Sequence, residues 1–333
     1  MKAFAIHNYG GNEVVKLIEI PKPTLKPTEI LVKIKAASVN PVDFKIRDGQ
    51  LKFVLPYKFP LILGNDCSGV IESIGSQVQK FKVGDEIYSR PDKTKIGTFS
   101  EYIATEESAA SLKPNNLSFE EAASLPLVGL TCWQAFVEKG KVNSESRVFI
   151  PAGSGGVGTF AIQLAKHLGA YVATTTSTRN VDFVKKLGAD VVIDYLKEDF
   201  SIKLSGFDLA LDTLGGENQT KAFSILKPGG KLISILWPPN VAFCREMNLN
   251  PFITTLAFFL GYKTMRMAKL RNIHYSLLMM LPNGEQLGQI TKLVENNILR
   301  PVIDKIFPFQ ETKEALAYVE KGRARGKVIV RVS

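Results

Sequence analysis

Apolar positions change their period along this chain. Up to about residue 115 they come in short runs broken by glycine and proline. Three of these, residues 30–36 (ILVKIKA), 69–74 (GVIESI) and 98–104 (TFSEYIA), read as β-strands. The character shifts at Ser118, where Glu121 follows three residues later in SFEE, a capping box that opens a helix. From Arg147 strand and helix alternate. Residues 148–150 read as a buried strand, and Val157, Ala161, Leu164, Ala165 and Leu168 then recur at helical spacing until Gly169 stops them. Strands at 171–176, 191–193, 207–211 and 231–236 follow, with helical intervals such as 181–187 between them. Such units predict an α/β protein with a parallel, doubly wound sheet. Residues 238–284 interrupt the rhythm. They are apolar and basic, with Lys263, Arg266, Lys269 and Arg271 around one predicted helix. The end, FQETKEALAYVEKGRARGKVIVRV, reads as one helix and one strand.

A candidate for chemistry stands where the first of these strands meets its helix, in IPAGSGGVGTF (150–160). Gly153 allows a tight turn, Gly155 lets the backbone approach a pyrophosphate, and Gly158 lets helix pack on strand. A helix N-terminus offers free N–H groups and a positive dipole end to phosphate. Gly153, Ser154, Gly155, Gly156, Val157 and Gly158 are thus the expected pyrophosphate loop. An NAD site would want Asp or Glu at the end of the second strand, but TTTSTRN (174–180) has none. Ser177 can donate to a phosphate and Arg179 can pair with it bidentately, which predicts NADPH. Ser177 and Arg179 could also merely cap the next helix.

Composition narrows the setting. A length of 333 residues suggests two domains. Forty-two basic against 32 acidic residues give +10, which permits a nucleic acid or an anionic surface as partner. The cations are scattered without interleaved aromatics, which disfavours nucleic acid. Cys67, Cys132 and Cys244 form no CxxC pair or disulfide framework, so a reducing, cytoplasmic setting is expected. The N-terminus does not read as a targeting peptide. The apolar run 252–262 is about half of what a membrane span needs. His7, His167 and His274 are far apart, so no histidine metal site is expected.

Several further segments carry a family resemblance: AASVNPVDFKIRDG (36–49), FPLILGNDCSGVIESIG (59–75), VGDEIYS (83–89), GTFSEYI (97–103), AASLPLVGLTCWQA (122–135), KKLGADVVIDY (185–195) and ARGKVIVRV (324–332). With the glycine loop they resemble the medium-chain dehydrogenase/reductase superfamily over nearly the whole chain. Within it the chain is similar to the zinc-independent quinone and enone oxidoreductases, including the reticulon-interacting mitochondrial reductases. The resemblance implies a GroES-like β domain at residues 1–120 and 300–333, closed by the C-terminal strand. It implies a Rossmann domain at 121–299 carrying the insertion at 238–284, and a homodimer.

The resemblance also locates what is missing. The positions that hold catalytic zinc in related alcohol dehydrogenases carry Asn40, Asn65 and, near the third, Leu127. Amides and a leucine do not replace thiolate and imidazole. No metal is therefore expected, and the acceptor is expected to be a quinone or an α,β-unsaturated carbonyl, which delocalises charge as hydride arrives. Asn40 and Lys45 are the expected catalytic residues, Asn40 as a donor where the metal would have been, Lys45 beside the nicotinamide ribose. Thr131, Tyr195 and Lys327 join the cofactor-binding set by resemblance. Each has a plainer reading: a loop amide, a solvated lysine, a helix-start hydroxyl, a strand-end aromatic. Cys132 reads as a core residue. Two other functions stay open: a cofactor-binding structural or RNA-binding protein with a vestigial site, and a zinc alcohol dehydrogenase. Segment 238–284 could be a lid on an apolar acceptor pocket, a packing or dimer element, or a helix touching a membrane surface.

Overall fold

The computed structural model describes residues 1–236, 238–247 and 249–333. They form two compact units: Met1–Leu130 together with Leu281–Ser333, and Thr131–Met280.

Strand Glu29–Val39 is the spine of the first unit. Most of its residues are buried, so it reads as a nearly continuous apolar run rather than an alternating one. It pairs antiparallel along one edge with Asp66–Ile74. Its other edge is shared by Tyr102–Glu106 along the first half and Lys327–Arg331 along the second. The sheet extends outward to Ile303–Pro308 on one side and to Glu86–Ser89 and Ala110–Leu112 on the other. The last strand of the chain thus closes the unit that the first hundred residues begin. Phe4, Ile6 and Phe99 share one core with Phe307, Phe309 and Leu316. The strand expected at 98–104 starts later, at Tyr102. Gly97 turns the chain at φ 142°, and the Ser100 hydroxyl binds Gly97 O and Tyr102 O at 2.7 and 2.9 Å, so these residues serve the turn.

The Ser118 capping box is formed. Ser118 N donates to Glu121 Oε2 at 2.9 Å, and Glu121 N donates to Ser118 Oγ at 3.2 Å. Helix Gly284–Glu295 packs on the strand Ala110–Leu112 and brings its residues into the first unit, whereas the sequence reading ran the second domain to residue 299. Any side chain at Gly284 would collide with Ala110 O, and the Tyr88 hydroxyl donates to Leu287 O at 2.6 Å.

The second unit is a six-stranded parallel sheet in the spatial order Val191–Asp194, Tyr171–Thr176, Arg147–Ile150, Phe207–Asp212, Leu226–Ser234, His274–Leu277. In sequence order this is 3-2-1-4-5-6, the Rossmann arrangement, with its switch point beside the first strand. The sixth strand lies inside the segment read as an insertion. HYSL follows a long helix and lacks the continuous apolar run that marks the equally short strands read at 148–150 and 191–193. The interruption is instead the crossover between the fifth and sixth strands, made of helices Val241–Glu246 and Pro251–Leu270. Residue 248 of that stretch lies outside the described residues.

Candidate active site

The glycine loop leaves the strand Arg147–Ile150 and enters the twelve-residue helix Gly156–His167. Ala152 sits at φ 52°, the left-handed region that a side chain adopts only when the surroundings hold it there. Its N–H donates to Thr175 Oγ1 at 3.1 Å, and Gly153 N donates to Thr175 O at 2.9 Å, anchoring the turn to the next strand. The glycines divide by what surrounds them. A Cβ on Gly153 would strike Thr174 Oγ1, and one on Gly158 would strike Ala152 O, so both are required for packing. A Cβ on Gly155 would meet only Ala152 O, at 3.3 Å. Gly155 therefore borders open space. It is the helix N-cap and carries no side-chain cap, so the first N–H groups of the helix are left for an outside acceptor. This cradle fits a pyrophosphate.

The adjoining strand ends complete the rim. Ser154 Oγ accepts from Thr176 Oγ1 at 3.0 Å and from Asn180 Nδ2 at 3.1 Å. Ser177 follows the strand Tyr171–Thr176 and makes no capping bond to the short turn Thr178–Asn180, in which Arg179 is exposed. Register pairs Thr176 with Asp194, and Tyr195, exposed, donates its N–H to Thr176 O at 3.1 Å. Gly153–Gly158, Ser177, Arg179 and Tyr195 thus gather at the carboxyl edge of one sheet. Asp194 ends the third strand of the sheet rather than the second, so the spacing that places a ribose-binding acid does not point to it. Its oxygens already accept from Thr178 Oγ1 at 2.6 Å and from Leu196 N at 3.2 Å, and these bonds hold its carboxyl below the usual range. Thr131 is buried in helix Pro126–Trp133, well past that helix's start. Its neighbour Cys132 lies 3.8 Å from Val157 O, which ties this helix to the glycine loop. Cys132 is fully buried and burial pushes its thiol up, so it is no nucleophile.

The first unit contains a second polar centre, entirely interior. Asn40 precedes helix Pro41–Arg47, and Asp43 at the third helical position accepts from Asn40 N at 2.7 Å. Asn65 Nδ2 donates to the other Asp43 oxygen at 2.6 Å. Asn40 Nδ2 donates to Asp66 Oδ2 at 2.9 Å, and Leu127 N donates to Asp66 Oδ1 at 2.9 Å. The three positions matched to zinc ligands therefore do converge, but around two buried carboxylates. The cation present is Lys327. Its ammonium donates to Asn40 Oδ1 at 2.5 Å and lies 3.7 Å from Asp66 Oδ2. All five side chains named (Asn40, Asp43, Asn65, Asp66, Lys327) are buried.

Burial sets the electrostatics. It pushes Asp43 up to about 7, opposed by the bonds from Asn65 and Asn40 and aided by the Asp66 charge. It pushes the Lys327 ammonium down, opposed by Asp66 and Asp43. Arg90, also buried, is lowered by the same cause and offset mainly by Asp66; its Nε has no partner, and neither has Asn65 Oδ1. Asn40 has spent both amide hydrogens, on Asp66 and, at 3.3 Å, on Ser38 O. It positions rather than donates outward. Lys45 is half-buried on the same helix, its ammonium lowered by burial. Among the described residues no three or more His, Cys, Asp or Glu side chains are grouped to hold a metal ion. A clue to Asp43 was present in NPVDF: an acid three residues after Asn at a helix start is a capping pattern, here turned inward.

Two family models match the chain, one described as an alcohol dehydrogenase GroES-like domain over residues 26–115 and one as a zinc-binding dehydrogenase over residues 187–330. The NAD(P)H oxidoreductase RTN4IP1, mitochondrial, of Danio rerio is 35% identical, covering 100% of this chain and 91% of that protein. The 2-methylene-furan-3-one reductase of Solanum lycopersicum is 36% identical, covering 99% of this chain and 79% of that protein. The solved structure of the quinone oxidoreductase from Coxiella burnetii matches with a TM-score of 0.88 at 33% identity, over 100% of this chain and 99% of that one.

Proposed function

This chain belongs to the medium-chain dehydrogenase/reductase superfamily, and from that premise we propose that it is an NADPH-dependent oxidoreductase reducing a quinone or the carbon–carbon double bond of an α,β-unsaturated carbonyl compound. A bound nicotinamide would supply the hydride. The residues of the chain do the rest. The free N–H groups at Gly156–Gly158 and the open face at Gly155 receive the pyrophosphate. Ser177 and Arg179 take the 2′-phosphate, with Tyr195 beside them. Asp194, at the end of the next strand, already accepts from Thr178 Oγ1 and Leu196 N.

The observation that carries the acceptor class is the Lys327–Asn40–Asp66 contact. A lysine ammonium beside the amide at the first zinc-ligand position gives that position a fixed cation already. A divalent ion there would be repelled and would find amides in place of thiolate and imidazole, so this donor set does not fit zinc. Without a Lewis acid, an isolated ketone gains little help, whereas a quinone or enone spreads the charge over its conjugated system. Lys45, its proton loosened by burial, is the proposed proton donor, with Asn40 positioning the network. The three buried thiols suit a reducing, cytoplasmic setting, and the outer edge of strand His274–Leu277, unpaired among the described residues, suits a homodimer.

The test is cofactor oxidation by purified protein with NADPH or NADH, offered simple quinones, short enones and a saturated ketone in parallel. Turnover of a quinone or an enone with NADPH well above NADH is expected. Reduction of only the saturated ketone, or stoichiometric zinc in the active protein, would overturn the reading.

A further inference from the structure

Helix Pro251–Leu270 is packed the wrong way round for a soluble surface helix. Its buried stripe is small: Ala257, Gly261, Thr264 and Ala268, at spacings of four, three and four residues. The fit there is close, since a Cβ on Gly261 would lie 2.5 Å from Pro239 O. The large apolar side chains stand outside, with Phe252 79%, Phe259 69% and Leu270 76% exposed, and Leu256 and Phe258 about half exposed beside them. Turning the helix cannot bury them, because the docked face admits only small residues. A soluble surface does not normally carry so many exposed aromatics together without a partner.

Charge says what that partner is. On the same outward stripe Lys263 and Arg266 follow Phe252 and Phe259 at helical spacing, and Lys269 and Arg271 stand at the helix end. From residue 247 to residue 284 the sequence contains no Asp or Glu at all. An apolar first half followed by a purely cationic second half is complementary to a bilayer bearing anionic headgroups, acyl chains for the aromatics and phosphates for the cations. No helix among the described residues is long and apolar enough to cross a membrane, so the contact is peripheral.

We propose that the outward face of helix Pro251–Leu270 docks this protein on an anionic lipid surface, the aromatic half entering the interface and the basic half resting on headgroup phosphates. The inference stands apart from the proposed activity and holds whatever the acceptor is.

The test is flotation of the full chain with vesicles of phosphatidylcholine alone or mixed with phosphatidylglycerol, at low and high salt. Binding to the mixed vesicles only, weakened by salt, is expected. The double variant Lys263→Glu/Arg266→Glu should lower partitioning at least about tenfold, since each cation near such a surface contributes on the order of 1 kcal/mol. Phe252→Ser/Phe259→Ser should lose binding even at low salt. All of these side chains point outward, so unchanged thermal midpoints identify loss of binding rather than loss of fold. No flotation of the parent protein with anionic vesicles would overturn the proposal. So would a dimer that the Phe252→Ser/Phe259→Ser variant converts to monomer without any change in flotation, since a second copy would then be what covers the face.

Discussion

Two side chains concentrate the chemistry at the residue scale. Lys327 was expected among cofactor contacts, yet its ammonium is turned inward to Asn40 and Asp66. Replacing it by Met separates the roles. If it acts through this network, kcat should fall by roughly ten- to a hundredfold while the KM for NADPH stays near the parent value, a loss typical of an electrostatic contributor. A rise in KM with kcat preserved would restore the cofactor role. Asp43 is the second. Its folded-state value lies near 7 against 3.8 for the ordinary carboxyl. A raised value means that the folded protein holds the proton more tightly than the unfolded chain. That contribution is complete below about pH 4 and is lost as pH rises through 7. Asp43→Asn cannot titrate, so the parent should lose on the order of 4 kcal/mol relative to the variant between pH 4 and pH 8, at about 1.4 kcal/mol for each unit between 3.8 and 7. Parallel stability curves for the two proteins across that range would exclude the buried titration. The capping pattern in NPVDF hinted at Asp43, but neither its burial nor the Lys327 contact was legible, because a lysine and aspartates more than 260 positions apart carry no local sign of each other.

At the scale of elements, the glycine loop was the most legible part of the chain. Its three glycines, the entering strand and the leaving helix are all local, and local spacing decides them. The structure adds a division of labour among the glycines. Gly158→Ala forces a Cβ into Ala152 O and should destabilise the protein by about 1–3 kcal/mol, as overpacking does. Gly155→Ala meets only Ala152 O, at 3.3 Å, which a shift of a few tenths of an ångström relieves, and has an ordinary extended backbone, at φ −81°. It should leave the thermal midpoint nearly unchanged and still raise the dissociation constant for NADPH, as measured by calorimetric titration. Equal effects of the two variants on stability would contradict the packing distinction. The sixth strand and the Gly284–Glu295 helix were both misplaced. HYSL lacks the continuous apolar run that marks the equally short strands read at 148–150 and 191–193, and a helix does not announce which unit its apolar face will join. Helix Pro251–Leu270 is the sharper case. Its sequence left a lid, a packing or dimer element and a membrane contact all open, and the structure buries its small residues while its large apolar ones stand exposed.

The molecule as a whole is assembled from distant parts of one chain. Arg47, 1% exposed, donates to Glu320 at 2.9 Å, to Asp48 at 2.8 Å and to Asn12 at 3.1 Å, which joins the N-terminal segment to the helix Thr312–Glu320. Arg47→Met should cost about 2–4 kcal/mol in denaturant unfolding, because it strips three acceptors of one buried donor. A loss below half a kilocalorie would mean that the Phe4–Phe309 core holds the two ends together without it. The sequence by itself determined the parallel sheet and the glycine turn between its first strand and helix. Each depends on residue type and short-range spacing, which the linear chain displays. Tertiary structure alone decided that Asn40, Asn65 and Leu127 meet around Asp43 and Asp66, that Lys327 supplies the cation there, and that helix Pro251–Leu270 faces outward with its aromatics. These depend on burial and on contacts between segments hundreds of residues apart, and desolvation, which shifts the charges of Asp43 and Lys327, has no counterpart in an extended chain.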